Sequence, residues 1–418
     1  MKDVIGMSQR DRQRYHVLRM VNEGKLKLFL AAQSLGISYR QAKRMLGRYR
    51  LQGAQGIVHR SRGRPSHRRL DTRLVDRILK LSAGKYEDFN DSHFTQKLLE
   101  VEGIRVSREM VRQLRRAHGI KAKRHRRPRR HHKRRERRSN EGMMIQVDGS
   151  PHRWFGKDFP PCCLISAVDD ATARWLVGFF IEFECSYGYF MMLDQLVTKY
   201  GIPASIYHDY HGSMVRNDSH WTIEEELAGE REPTQVGRAL RTLGITSIPA
   251  SSPQAKGRIE RHFGVQQDRL VAELALRGIH TILKANAFLA GGYIEEYNRL
   301  FARQAQSPEL FWRKPSRDLD LRRILSFHYQ CVVGNDNAVR IGGHIIDIPP
   351  GKGNRGYAKA VVEVCQLLDG SWRVYHKDVM LATAPPTPIR EPIRALCHDR
   401  PGVRARSKSR LIYMASAI

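Results

Sequence analysis

Eighteen consecutive residues, KAKRHRRPRRHHKRRERR at 121–138, carry twelve Lys or Arg and a single Glu. Like charges at that density repel one another, so the segment is expected to stay extended until a polyanion neutralises it. A chain interrupted in this way does not close around one core. The run also marks where the charge lies: residues 1–139 hold 39 Lys/Arg against 12 Asp/Glu, which is +27 of the formal +31 and leaves +4 for residues 140–418. A field of that strength implies a polyanionic partner, nucleic acid above all. Counterion release would make such binding strong, salt-sensitive and independent of sequence. A nuclear-import signal shares this composition.

At roughly 100–200 residues per domain, 418 residues predict about two to four domains. No apolar run approaches the roughly 18 residues that span a bilayer, and the N-terminal MKDVIGMSQRDR has no apolar secretion core, so no membrane partner is expected. Six Cys with no CxxC make neither a disulfide scaffold nor a zinc site, and fit a reducing compartment.

Two all-α modules are expected ahead of the run. Ser8 with Asp11 has the form of a helix start. In LFLAAQSLGISYRQAKRMLGRY, Ala31, Ala32 and Leu35 recur at helical spacing, Gly36 suits a helix stop, and Ser38 suits the cap of the next helix. That helix sets Ala42, Met45 and Leu46 on one side and Arg40, Gln41, Lys43, Arg44 and Arg48 on the rest. A helix-turn-helix with a basic second helix suits a DNA major groove. A helical hairpin with a solvated basic face has the same pattern. This module is bounded at 1–58. The basic linker 59–69, HRSRGRPSHRR, suits a minor groove or solvent equally. Residues 70–120 form a second helix-turn-helix-like module. Leu74, Ile78 and Leu81 mark one helix, and Phe94, Leu98 and Leu99 another. Ser107 caps a third, with Val111 and Leu114 inward and Arg108, Arg112, Arg115 and Arg116 outward. In the second basic linker, 121–139, Arg126, Arg127, Arg129 and Arg130 are expected on the DNA backbone. His125, His131 and His132 lack Cys partners, and the cations around them oppose a metal ion.

From residue 140 the pattern changes. MMIQVDGS, CCLISAVDDAT and ARWLVGFFIEF read as a three-stranded meander. Residues 187–200 read as a helix, Pro203–Asp209 as a fourth strand, 212–232 as a polar loop, 233–243 as a helix and Ile245–Pro249 as a fifth strand. Ser252 and Pro253 then open a long helix as cap and first residue. This order predicts a mixed α/β sheet over 140–300. After a connector at 301–321, short alternating runs over 322–385 predict a small β-barrel, and the Pro- and Arg-rich 386–418 a disordered tail.

Three acids stand where chemistry would need them. Asp148 and Asp209 are each expected at a strand end, and Glu260 beside the apolar stripe Ala255, Ile259 and Phe263 of the long helix. Converging carboxylates repel unless a cation joins them. Hard oxygen ligands suit Mg²⁺ or Mn²⁺, and two such ions about 4 Å apart serve phosphodiester chemistry. Taken singly, each acid has an ordinary reading as a turn Asp or a solvated Glu. Lys256, Arg258 and Arg261 nevertheless put positive charge at a helix start, against the helix dipole, which a bound phosphate would account for. Asp169 and Asp170, expected in a hairpin turn, and Glu184 are rival acids. His208, His211 and Lys256 are candidate DNA contacts, and Trp154 and Phe155 fit either a core or a base stack.

IQVDGSPH at 145–152, IYHDYHG at 206–212 and PASSPQAKGRIERHFGVQQDRLV at 249–271 together resemble the DDE transposases and retroviral-type integrases, most closely bacterial insertion-sequence transposases of the ISNCY group. The resemblance covers about residues 10–385. It implies a ribonuclease H-like catalytic core in which Asp148, Asp209 and Glu260 hold two Mg²⁺ or Mn²⁺ ions. The 51-residue spacing from Asp209 to Glu260 exceeds that of retroviral integrases, and the 212–232 insertion accounts for it; their zinc-binding His/Cys module is absent. The implied function is binding of terminal inverted repeats, cleavage of the DNA ends and strand transfer into target duplex. A homo-oligomeric synaptic complex in a bacterial cytoplasm, near the nucleoid, is implied as well. The competing readings are a non-catalytic DNA-binding regulator derived from such an enzyme, a metal-dependent nuclease without strand transfer, and a basic RNA-binding protein.

Overall fold

The computed structural model describes residues 6–59, 70–123, 135–216, 221, 223–250 and 256–389. Most of both basic linkers (with Arg126, Arg127, Arg129 and Arg130), the Ser252-Pro253 helix start and the tail from residue 390 lie outside the described residues. The chain divides into two compact units, residues 1–78 and 79–418.

In the first unit, α1 (Gln9–Asn22), α2 (Leu28–Ser34) and α3 (Tyr39–Gln52) enclose Leu18, Met45, Leu46 and Ile57. Ser8 and Asp11 form a reciprocal capping box at the start of α1. Gly36 takes φ 60° after α2, and Ser38 Oγ accepts from Gln41 N at 3.2 Å to start α3, the turn expected from the sequence. Gly56 is pressed on the end of α3: a Cβ there would run into the Arg48 carbonyl, with Arg48 C at 2.7 Å. Gly47, within α3, faces open space. The next helix is α4 (Thr72–Ala83).

The second unit opens with α5 (Asp91–Glu100) and α6 (Arg108–Ala117) and then builds a mixed sheet. β1 (Ile145–His152), β2 (Cys162–Asp169) and β3 (Trp175–Ile181) form an antiparallel meander. β4 (Ser205–His208) and β5 (Thr246–Pro249) continue it in parallel on the free side of β1, in the order β3-β2-β1-β4-β5. The helices of this region are α7 (Ser186–Lys199), α8 (Ile223–Ala228), α9 (Gln235–Thr242) and α10 (Gly257–Leu276). The stretch expected as a plain loop thus contains α8. β2 is buried at every position, as a strand covered on both faces must be. Ile145 and Val147 share one core with Leu193, Val236 and Leu240 from α7 and α9. Leu164, Val168 and Trp175 share the opposite core with Ile259 and Phe263 of α10. Trp154 and Phe155 lie in that second core, which settles them as packing residues. α11 (Ile282–Phe288) passes through a π turn at Leu289–Tyr293 into α12 (Ile294–Phe301), with Gly292 at φ 118°.

After α13 (Leu321–Ile324) come six short strands: β6 (Phe327–Val332), β7 (Ala338–Ile341), β8 (His344–Asp347), β9 (Val361–Gln366), β10 (Trp372–His376) and β11 (Val379–Ala384). The expected barrel is corrected here. The strands pair as an open sheet, β11-β10-β9-β6, and a separate β7-β8 hairpin. A barrel needs its outer strands hydrogen-bonded to each other. Here β6 and β11 remain edges, and the hairpin shares with the sheet a core that includes Val339, Ile346, Val364 and Trp372. Both tight hairpins use left-handed residues, Gly342-Gly343 and Lys377-Asp378. No described helix is long and apolar enough to cross a membrane.

One buried charge cluster ties α5 to α10. Glu273 Oε1 accepts from His93 Nε2 at 2.6 Å and meets Lys97 Nζ at 2.8 Å, while its other oxygen pairs with Arg277. Burial alone would raise the Glu273 carboxyl, but the His93 and Lys97 contacts outweigh it and hold it at about 2. Its folded value lies below its unfolded one. The stabilisation is therefore complete above the ordinary carboxylate range and is lost as pH falls towards 2.

Glu273→Gln is expected to cost about 3 kcal/mol in urea unfolding near neutral pH, because Lys97 stays buried with only Glu296, at 3.7 Å, as counter-charge. The gap from the wild type should narrow between pH 6 and pH 3, and an unchanged gap would contradict the assignment. In the first unit, Gly47→Ala should raise thermal stability through helix propensity, by roughly 1 kcal/mol. Gly56→Ala should lower it by about 1–3 kcal/mol through overpacking.

Candidate active site

β1 and β4 pair in parallel at Ile145–Ile206 and Gln146–Tyr207. Carrying that register onward sets Asp148 level with Asp209 on neighbouring strands, which lie about 4.8 Å apart. Both carboxylates meet one ammonium. Lys256 Nζ lies 2.9 Å from Asp148 Oδ1 and 3.5 Å from Asp209 Oδ2, on a side chain only 6% exposed. Lys256 stands immediately before α10, so the third motif of the sequence does reach the first two. Lys256, a candidate DNA contact in the sequence, is here the counter-ion of the two acids. Burial drives the Asp148 carboxyl up to about 6 against the pull of Lys256, and the charges of Asp209 and Glu184 push the same way. Asp209 is more open, and its Oδ1 accepts from His211 N at 3.0 Å.

An ammonium shared by two carboxylates marks a point towards which both direct oxygen atoms. That donor set is the hard, anionic kind that suits Mg²⁺ or Mn²⁺. Glu260 occupies the first turn of α10, exposed, and enters no hydrogen bond or ion pair among the described residues. Its neighbour Ile259 donates its N–H to Gln146 Oε1 at 3.2 Å. Gln146 shares its face of β1 with Asp148, since side chains alternate along a strand. The start of α10 therefore sits on the Asp148 side of the sheet. Glu184, between β3 and α7, places its carboxyl group over Gly149, and its Oε1 accepts from Tyr189 OH at 2.5 Å.

The rival aspartates have other work. Asp169 Oδ1 accepts from Thr172 N and Thr172 Oγ1 at 2.7 and 2.8 Å, and Oδ2 accepts from Gly142 N at 3.0 Å, which makes it the turn residue expected. Asp170 is a buried clamp. It accepts from Gln146 Nε2 at 2.7 Å and Arg138 N at 2.9 Å, and pairs with Arg135 and Arg258. Those partners overcome burial and hold its carboxyl below the usual range. Arg258, expected on DNA, is thus committed to Asp170 and to Arg135 O at 2.8 Å, whereas Arg261 is exposed. Gln146 was not singled out in the sequence. Its signal was a lone amide among apolar residues, two positions before Asp148.

The basic helices differ. On α3, Arg40, Lys43 and Arg44 are exposed and Arg48 is half-buried, with no acid anywhere on the helix. On α6, Arg108 and Arg112 are exposed, but Arg112 pairs with Glu109 at 2.6 Å. Arg115, expected outward, is 4% exposed, and its Nη1 donates to Phe89 O and Asp91 Oδ1, both at 2.9 Å. Arg116 also joins Asp91, at 2.7 Å. The reason is periodicity: Arg115 follows buried Val111 by one helical turn. His208 is buried, pushed below its usual value by desolvation, with Nε2 2.7 Å from Ser247 Oγ; it supports the end of β4. His328, Glu363 and Cys365 also converge, but Arg323 already neutralises Glu363 at 2.7 Å, so this set has its cation.

A winged helix-turn-helix family matches residues 14–74. The chain is similar to the putative transposase y4bF of Sinorhizobium fredii (strain NBRC 101917 / NGR234), 35% identical over 387 residues, covering 90% of this chain and 83% of the relative. It is similar as well to the transposase for insertion sequence IS1202 of Streptococcus pneumoniae, 29% identical over 414 residues, covering 88% of this chain and 86% of the relative. Among solved structures, a simian T-cell lymphotropic virus intasome in complex with PP2A regulatory subunit B56 gamma aligns over 75% of this chain and all of that one. The identity is 13% and the TM-score 0.30, too low for any argument. With 35% identity along most of both chains, the protein belongs to the transposase family.

Proposed function

We propose that this chain is an insertion-sequence transposase of the DDE type. In this reading, helix-turn-helix contacts hold the element's terminal inverted repeats, and a ribonuclease H-like core cleaves the ends and transfers strands into target DNA. The observation that carries the reading is the pairing of β1 with β4, which levels Asp148 and Asp209 around a shared cation in a chain of this family. The β3-β2-β1-β4-β5 order, a meander extended by two parallel strands, supports the ribonuclease H-like assignment.

Asp148, Asp209 and Glu260 would hold the metal. When bound, a pair of Mg²⁺ or Mn²⁺ ions supplies Lewis-acid activation of the attacking and leaving oxygens of a phosphodiester. The chain's own part is positioning. The β1–β4 register fixes two acids. Gln146 fixes the start of the helix that brings the third. Asp170 holds Arg258 and Arg135 beside that helix start, so the end of the basic linker and the start of α10 share one anchor. On the DNA side, the exposed face of α3 is the surface best fitted to a major groove, because it presents cations with no competing acid. Joining two ends in one reaction implies a homo-oligomeric synaptic complex.

A plasmid carrying the gene with its native flanking DNA tests this. Insertions are expected from the wild type and none from Asp209→Asn or Glu260→Gln. Insertions from all three would mean the acids are misassigned, and cleavage without joined products would favour the nuclease reading. Replacing Arg40, Lys43 and Arg44 with Gln should weaken duplex binding and flatten its salt dependence by about 0.9 log units per lost phosphate contact. An unchanged slope would exclude α3 from the contact.

A further inference from the structure

We propose that Lys256 is a built-in competitor of the divalent cation. Its ammonium holds Asp148 and Asp209 together until metal is taken up, and must swing away for that uptake. This rests on the metal-dependent reading above. The ammonium lies 2.9 Å from Asp148 Oδ1 and 3.5 Å from Asp209 Oδ2. A point within reach of one oxygen from each carboxylate is also the point at which the two acids would grip a metal ion. Two cations cannot share it, so the ammonium and the metal exclude each other.

The surroundings make this ammonium displaceable. It brings one positive charge to two carboxylates, and no other cation among the described residues meets either acid. A divalent ion would balance the pair. Its side chain also makes no other hydrogen bond or ion pair among the described residues. The neighbouring cations are held differently. Arg258, two residues on, pairs with Asp170 and donates to Arg135 O at 2.8 Å. Lys97, a comparably buried lysine, faces Glu273 and Glu296, but Arg277 joins it on Glu273 and evens the count. Lys256 is moreover the N-cap of α10 and makes no capping bond, so its charge opposes the helix dipole. The Asp209 side chain is 44% exposed, which opens the pair to solvent on one side. The four-carbon stem lets the ammonium move alone. Gln146 and Asp170 meanwhile hold the helix start through Ile259 and Arg258.

The alternative is a permanent bridge, in which Lys256 locks the acids into the geometry that binds metal. The two differ in sign. A site that is open only part of the time binds more weakly by the open fraction, so removing a competitor tightens uptake, whereas removing a bridge loosens it. The measurement is Mn²⁺ uptake by the full-length protein, read from the free-ion electron paramagnetic resonance signal, with thermal melting to show that each variant is folded. Lys256→Gln removes the charge and keeps an unbranched polar stem. Lys256→Arg keeps the charge and grips carboxylates with two N–H groups. Lys256→Gln is expected to take up Mn²⁺ about tenfold more tightly than the wild type or better, and Lys256→Arg more weakly. Asp209→Asn serves as the reference for loss. Uptake by Lys256→Gln that equals or falls below the wild type, with loss in Asp209→Asn, would overturn the competitor and leave the parent reading standing. Should Lys256→Gln not fold, the arginine variant decides: uptake as tight as the wild type or tighter would overturn the proposal. Wild-type uptake in Asp209→Asn, or no uptake by any form, would overturn both.

Discussion

The candidate active site of this protein depends on two residues' worth of parallel strand pairing. Ile145 and Gln146 of β1 bond alongside Ile206 and Tyr207 of β4, and there the pairing stops. That register, carried onward, leaves an aspartate on each strand at the same level. A one-residue slip would turn one acid to the opposite face. What prevents the slip is burial: Ile145, Val147 and Ile206 lie in one core, so the register that satisfies the core also sets the acids.

The acids of the core region sort by how their charge is met. Asp169 is satisfied by a turn, Asp170 by arginines and an amide, and Glu273 by a His, a Lys and an Arg. These are finished interactions, and their work is structural. Asp148 and Asp209 share a single ammonium. Glu184 has a phenol, and Glu260 has no ion pair among the described residues. Of the two that share the ammonium, Asp148 is largely buried, and buried negative charge short of partners is costly, so it persists where a ligand or cation is part of the working state.

The basic residues divide in the same way. α3 presents its cations freely, whereas α6 folds two of its four arginines back onto Asp91, the first residue of the α5 helix that Glu273 ties to α10. In the second unit, Arg115, Arg116 and Arg258 therefore build the scaffold, and Arg108, Arg112 and Arg261 remain at the surface.

The sequence by itself determined the first helix-turn-helix and the strands of the mixed sheet. Ser8, Gly36 and Ser38 placed the first helix-turn-helix through local capping and a left-handed stop, and the alternation of apolar runs placed all five strands of the mixed sheet. The residues of the three motifs were legible because hard acids beside cations are a rare local combination. Tertiary structure alone decided which charges are spent. Nothing within α6 says that Arg115 will meet Asp91, within α10 that Arg258 will meet Asp170, or near Asp209 that Lys256 will arrive. Nor do short alternating strands say whether a sheet will close, since closure needs hydrogen bonds between β6 and β11, which do not pair. Local propensity acts over a few residues, whereas a counter-ion or an edge partner is chosen by packing across the fold. That is why candidate acids could be named from the sequence and the company they keep could not.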